Sequence, residues 1–146
     1  MANAVYPKAK NSFLTQNPSI DWDTDTIKAI LARGYTFVST HQYLADVTGA
    51  GATLVGNSGG STGAAGTTIG SRSATNGVAD GAAITWTSVT SGSACSSILI
   101  YKSTGSDSSC ALIAYIDTAS SGLPVTPNGG DINVTWDSGA SKILAL

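Results

Sequence analysis

An all-β domain is the fold class this sequence predicts, and three observations carry the prediction. Glutamate is absent and charged residues make up 11% of the chain, against a usual share of about 25%. In their place stand 20 Ser, 18 Thr and 17 Gly, together 55 of 146 residues. Thr suits the wet face of a strand and Gly its turns, whereas the exposed-helix formers are scarce. Short apolar or alternating runs, separated by turn residues, then recur from residue 82 onward. Seven or eight antiparallel strands of this kind make a β-sandwich or jelly roll. The length fits one domain, residues 1–146, burying about two-thirds of its unfolded surface.

Residues 1–20 read as a separable N-terminal arm with a short helix. Pro7 suits a first helical position, Tyr6, Phe13 and Leu14 can anchor the arm by burial, and Asn17-Pro18 ends it. The first strand is expected at 26–33, stopped by Gly34. Ser39 and Gln42 have capping-box spacing and predict a short helix running through His41, Tyr43, Leu44 and Val47.

Residues 48–81 change character, holding ten of the 17 glycines among Ser, Thr and Ala. Only Thr53–Val55 and 67–69 have strand content. A stretch so poor in large side chains reads as a long surface excursion, mobile unless a neighbour orders it.

The strand signals beyond it are strong. In 83–89, Ile84 and Trp86 alternate with Thr85 and Thr87; in 131–136, Ile132, Val134 and Trp136 alternate with Asn133 and Thr135. Period-two patterning marks a strand with one wet face. Ser97–Lys102 and 111–117 are apolar on both faces and predict a covered mid-sheet hairpin, with Leu99 opposite Leu112 and Ile98 opposite Ile113. Pro124, Pro127 and Gly129-Gly130 forbid regular structure between the later strands. Residues 142–146 close the chain as a final strand with its end buried or paired.

Charge and cysteine usage narrow the function. The net charge is −2, and the seven basic residues are scattered, which argues against the clustered cations that nucleic acid requires. No run approaches the roughly 18 apolar residues of a membrane span, and residues 1–10 lack the apolar stretch of a signal peptide. The expectation is a soluble protein made in a cytoplasm. In the predicted hairpin Cys110 faces Tyr101 and Cys95 faces Ile116, too far apart for a disulfide; two free thiols are expected.

Each candidate site has a plainer reading. Asp21, Asp23 and Asp25 alternate like the start of a calcium loop, but Thr26 stands where that loop needs Gly and Ala32 where it needs Glu. A solvated acidic turn is the default, with a looser ion site left open. His41 is the sole histidine; Asp46 follows it, yet there is no Gly-x-Ser-x-Gly elbow. One His and two distant Cys fall short of zinc spacing. The glycines from Gly49 to Gly56 lack a phosphate-loop Lys. Asn133-Val-Thr135 matches a glycosylation sequon inside a predicted strand and is set aside. Trp86 and Trp136 share the apolar phase of their strands and read as core; Trp22, among aspartates, is the one expected to be exposed and open to a sugar. No catalytic, cofactor or metal residue is assigned.

Three stretches carry a resemblance. Residues 1–14 (MANAVYPKAKNSFL), together with 112–117 (LIAYID) and 122–143 (GLPVTPNGGDINVTWDSGASKI), resemble a family of small virion structural proteins of tailed double-stranded DNA bacteriophages. Residues 26–28 and 41–44 stay in register between them, and 56–76 depart from the pattern. The resemblance implies a non-enzymatic structural role in the virion after assembly in the host cytoplasm. Within the virion the expected part is a capsid decoration (cement) protein, because an arm and a long Gly-rich loop can span joints between subunits and order on docking. The expected partners are the major capsid protein and further copies of the chain, as a dimer or trimer. A tail, neck or fibre-associated subunit is the alternative, and a carbohydrate-binding adhesion module a third.

Overall fold

The computed structural model describes residues 3–118, 123–140 and 142–146. Along the chain it forms β1 (Ala4–Val5), α1 (Pro7–Thr15), β2 (Ile27–Arg33), α2 (Leu44–Gly49), β3 (Thr53–Val55), β4 (Thr67–Thr68), β5 (Ser73–Thr75) and β6 (Val78–Asp80). There follow β7 (Ile84–Trp86), β8 (Ser97–Lys102), β9 (Leu112–Ile116), β10 (Ile132–Val134) and β11 (Leu144–Ala145). The architecture is mostly antiparallel β with two short helices. Eleven strands are present among the described residues, more than the seven or eight expected, because several are only two or three residues long.

β2 is the spine. It is apolar on both faces, and residues 29–32 are fully buried, as a strand covered on both sides requires. β8 pairs along one edge; β3 and β4 share the other, giving the order β1-β9-β8-β2-β3 with β4 also on β2. Two small sheets complete the fold, β10-β7 and β11-β6-β5.

Each face of the main sheet has its own cover. On one face lie Ile30, Leu99 and Tyr115, held side by side by the register. Tyr35 and Phe37 pack on Tyr115 with ring centroids 5.7 and 5.5 Å away, and Leu44 of α2 reaches the same layer beside Tyr101. Against the other face lies Trp86 from β7, fully buried, its Nε1 donating to the Ala29 carbonyl at 2.9 Å. An indole buried with its N–H satisfied adds apolar contact with no polar cost.

The hairpin register differs from the expected one. Ile98 faces Ile116 and Leu99 faces Tyr115, and a bulge separates Ile100 from Tyr101, which faces Leu112. The cause is the connection. Cys110 N–H donates to the Ser106 carbonyl at 3.0 Å, closing a helical turn that lengthens the loop and slides β9 along β8. The two cysteines remain apart, both free and buried.

The N-terminal segment is no loose arm. β1 pairs with β9, and Tyr6 is fully buried, with its N–H donating to the Ile113 carbonyl at 2.9 Å. α1 begins at Pro7 as expected, but it buries Ala9 and Ser12 rather than Leu14, which is 85% exposed. Phe13 is half-buried.

The Gly-rich stretch is likewise built in. Residues 48–81 supply four strands, and Leu54, Val55, Ile69 and Ala79 join the core. Small residues are needed because the backbone itself is the packing surface. A Cβ on Gly66 would stand 2.1 Å from the Tyr101 hydroxyl, and one on Gly81 2.4 Å from Ile69 Cγ2. Asn76-Gly77, both at positive φ (52° and 78°), turns the β5–β6 hairpin, and Asn-Gly is a strong short-range hairpin signal. The helix expected from Ser39 begins five residues later, at Leu44. The carboxylate of Asp46, not Gln42, closes its start, accepting the N–H groups of Gln42 and Tyr43 at 2.8 and 2.9 Å.

Candidate functional site

The acidic turn at 21–25 leads from α1 into β2, and its carboxylates are largely consumed by the turn. Asp21 accepts the N–H groups of Asp23 and Thr24 through one oxygen, at 3.0 and 3.1 Å. Those hydrogen bonds, Thr24 foremost, hold the Asp21 carboxyl below its usual value. Asp25 accepts the Asp21 N–H at 2.8 Å and pairs with Lys102 at 2.9 Å. Beneath the turn the Arg72 guanidinium donates to the carbonyls of Trp22 at 2.6 Å and Asp23 at 3.3 Å, and also to those of Asp25 and Ile69. A planar five-donor fork suits such a cradle of carbonyls. Among the described residues no group of three His, Cys or Asp side chains is arranged to hold a metal ion.

His41 lies before α2, not within it. Its Nδ1 is 3.0 Å from the Tyr35 hydroxyl, which is 3.0 Å from that of Tyr6. Burial pushes the hydroxyl pKa values of Tyr6 and Tyr35 up, and the bond to Tyr35 raises Tyr6 further. No serine hydroxyl bonds to His41 among the described hydrogen bonds, and Asp46 spends its carboxylate on backbone. Burial alone would raise the Asp46 carboxyl; the two N–H donors and the nearby His41 outweigh it and leave it below the usual value. The imidazole terminates a chain of hydrogen bonds that fastens the N-terminal segment to the fold.

Cys95 is buried beside Arg33, whose guanidinium approaches Sγ at 4.0 Å. Burial raises its thiol pKa despite that cation, which disfavours the nucleophilic thiolate. Cys110 Sγ accepts the Thr104 N–H at 3.5 Å.

The tryptophans depart from expectation. Trp22 is buried, 6% exposed, with Nε1 donating to the Asp80 carbonyl at 3.1 Å. Trp136 is the more open one, half-buried, its Nε1 on the Ala82 carbonyl at 2.8 Å. Asn133 of the sequon is exposed on β10, where its Oδ1 accepts the Thr85 hydroxyl at 2.6 Å.

No family model, no curated protein and no solved structure matches this chain.

Two hubs had no signature in the sequence. Arg72 is one. Asn57 is the other: it donates to the Ala65 carbonyl at 2.9 Å and the Thr67 hydroxyl at 3.1 Å, and accepts the Thr87 N–H at 2.7 Å. Both tie the Gly-rich stretch to its neighbours, which is a tertiary fact with no local pattern. A concavity of about 1180 Å³ lies between the main sheet and β10 and is walled by Leu31, Ile98, Ile116, Ile132, Val134 and Trp136. Its lining mixes these apolar side chains with polar ones, among them Lys10, Asn133, Asp137 and Lys142.

Proposed function

We propose that this chain is a structural protein of a tailed double-stranded DNA phage virion, serving as a capsid decoration protein seated across major capsid protein subunits. The observation that carries the reading is where the resemblance falls. Residues 1–14, 112–117 and 122–143 coincide with β1, α1, β9, β10 and the approach to β11. What resembles the virion family is therefore one edge of the main sheet, with α1 and β10 beside it.

The chemistry of the side chains supports the same reading. His41, Asp21, Asp25, Asp46 and Arg72 each spend hydrogen-bonding capacity on the fold itself. The surface is rich in hydroxyls and carries few charges, so it makes many hydrogen bonds at little desolvation cost from ions. We read the main sheet and the β10-β7 sheet, which meets it through Trp86, as a sandwich.

The test is re-binding. Purified chain added to capsids that lack it binds at a stoichiometry near that of the major capsid protein and raises the particle's melting temperature. Failure to bind such shells rejects the proposal.

A further inference from the structure

A second, smaller apolar feature lies on the face formed by α1 and the chain end. It is a slot of about 250 Å³ bordered by Phe13, Ile20, Trp22, Ala79 and Leu146, with Asp21 and Asp23 at its rim. Leu14 and Leu146 are two of the three large hydrophobic residues left exposed among those described, at 85% and 59%. Leu146 walls this slot, while Leu14 stands on α1 outside its lining, free to reach a neighbouring molecule. Exposed apolar residues scattered singly need no explanation, but an exposed leucine walling an apolar hollow marks an interaction surface.

The rim states the chemistry of the occupant. The Asp23 carboxylate makes no hydrogen bond or ion pair with any described residue, since only its backbone groups are engaged. An occupant that fits therefore carries an apolar knob with a cation beside it. This chain presents that combination itself. On α1, Lys10 and Leu14 are both exposed and, four positions apart, share one helix face. The slot has ample room: an apolar cavity of about 150 Å³ takes up a benzene ring, and the side chain of leucine is smaller.

We infer that the slot receives Leu14 of a second copy of this chain, with Lys10 of that copy set against the Asp23 carboxylate. Association of this kind is weak and reversible. Seating one side chain in a slot of about 250 Å³ is a small contact beside the ~1,600 Å² of a standard stable interface, of the kind found in weak, transient encounters. The inference stands apart from the capsid reading, because self-association is measured on the purified chain alone.

Sedimentation equilibrium of the full chain up to about 1 mM tests it. Withdrawing one fully buried leucine weakens binding about tenfold to a hundredfold. Leu14→Gln, at an exposed helical position, should therefore shift the association by at least that tenfold while leaving Tm unchanged. Lys10→Asp should weaken it as well, and Lys10→Asp combined with Asp23→Lys should restore it. A wild-type chain that stays monomeric throughout, or association untouched by Leu14→Gln, overturns the inference. Failure of the charge swap to restore binding overturns the Lys10–Asp23 pairing.

Discussion

Gly66→Ala isolates the idea that the Gly-rich stretch is core architecture. Gly66 has φ −68° and ψ 158°, a conformation alanine adopts freely, so the backbone contributes no penalty. The cost is steric. The new Cβ would lie 2.1 Å from the Tyr101 hydroxyl and 3.0 Å from the Ala29 carbonyl. Tyr101 cannot yield easily, because it is fully buried and its hydroxyl donates to the Gly63 carbonyl at 2.5 Å. Overpacking costs about 1–3 kcal/mol, and a buried hydroxyl torn from its acceptor about 1–3 more, giving about 4 kcal/mol in all. For a chain of this size that lowers Tm by about 10 °C. Gly70→Ala is the control: no atom lies within 4 Å of its Cβ, so its effect stays within about 0.5 kcal/mol. Tyr101→Phe removes the clashing oxygen, so Gly66→Ala in that background should cost about 2 kcal/mol less than in the wild type, a coupling typical of residues in contact. Chemical denaturation of the wild type and these four variants measures all of these terms. If Gly66→Ala matches Gly70→Ala, the packing argument is wrong.

Three further outcomes follow from the same structure. Burial pushes the hydroxyls of Tyr6 and Tyr101 far up and that of Tyr115 up to about 12. Folded values above the unfolded value of about 10 mean a contribution that is whole below pH ~10 and is lost as pH rises beyond it, at ~4 kcal/mol per pH unit for three tyrosines. Tyrosinate absorbance should therefore appear together with unfolding between pH 10 and 12; ionisation of all tyrosines in a still-folded chain contradicts this. Tyr6→Ala removes a fully buried ring and should cost about 3–5 kcal/mol, read as lost Tm, and deleting residues 1–14 should cost more. Arg72→Ala should destabilise by about 2–4 kcal/mol in urea melts, given charged hydrogen bonds of about 1.5–3 kcal/mol each, and Arg72→Lys should recover less than half, because an ammonium cannot serve four carbonyls at once.

Where local pattern decides structure, the sequence was readable. β2, β3, β7 and β8 fall where apolar or alternating runs placed them, and Pro7 starts α1. The errors share one cause, which is that tertiary partners override local cues. The 103–110 connection closes its own turn, and that slid the β8–β9 register. Trp22 looked wet because aspartates surround it, yet Arg72 draws their carbonyls inward and the indole goes down to Asp80. Ser39 and Gln42 had capping spacing, but Asp46 supplied the acceptor nearer the first buried residue, Leu44. Asn76-Gly77 is the only local signal of the β5–β6 hairpin, because its flanks, Ser-Ala-Thr and Val-Ala-Asp, lack large apolar residues.

That lesson bears on the candidate site. His41 and the acidic turn are visible in the sequence as chemistry-bearing residues, but only the fold shows their partners to be Tyr35 and the turn's own backbone. Histidine at the end of a tyrosine chain and aspartates capping amides are roles of support. They agree with a protein whose task is to hold shape against a neighbour.

Copy number in the assembled particle tests that central claim most directly. Quantitative mass spectrometry of purified virions should count this chain in hundreds, in fixed ratio to the major capsid protein. A handful of copies per particle would contradict the shell role, and absence from the virion would contradict the structural reading altogether.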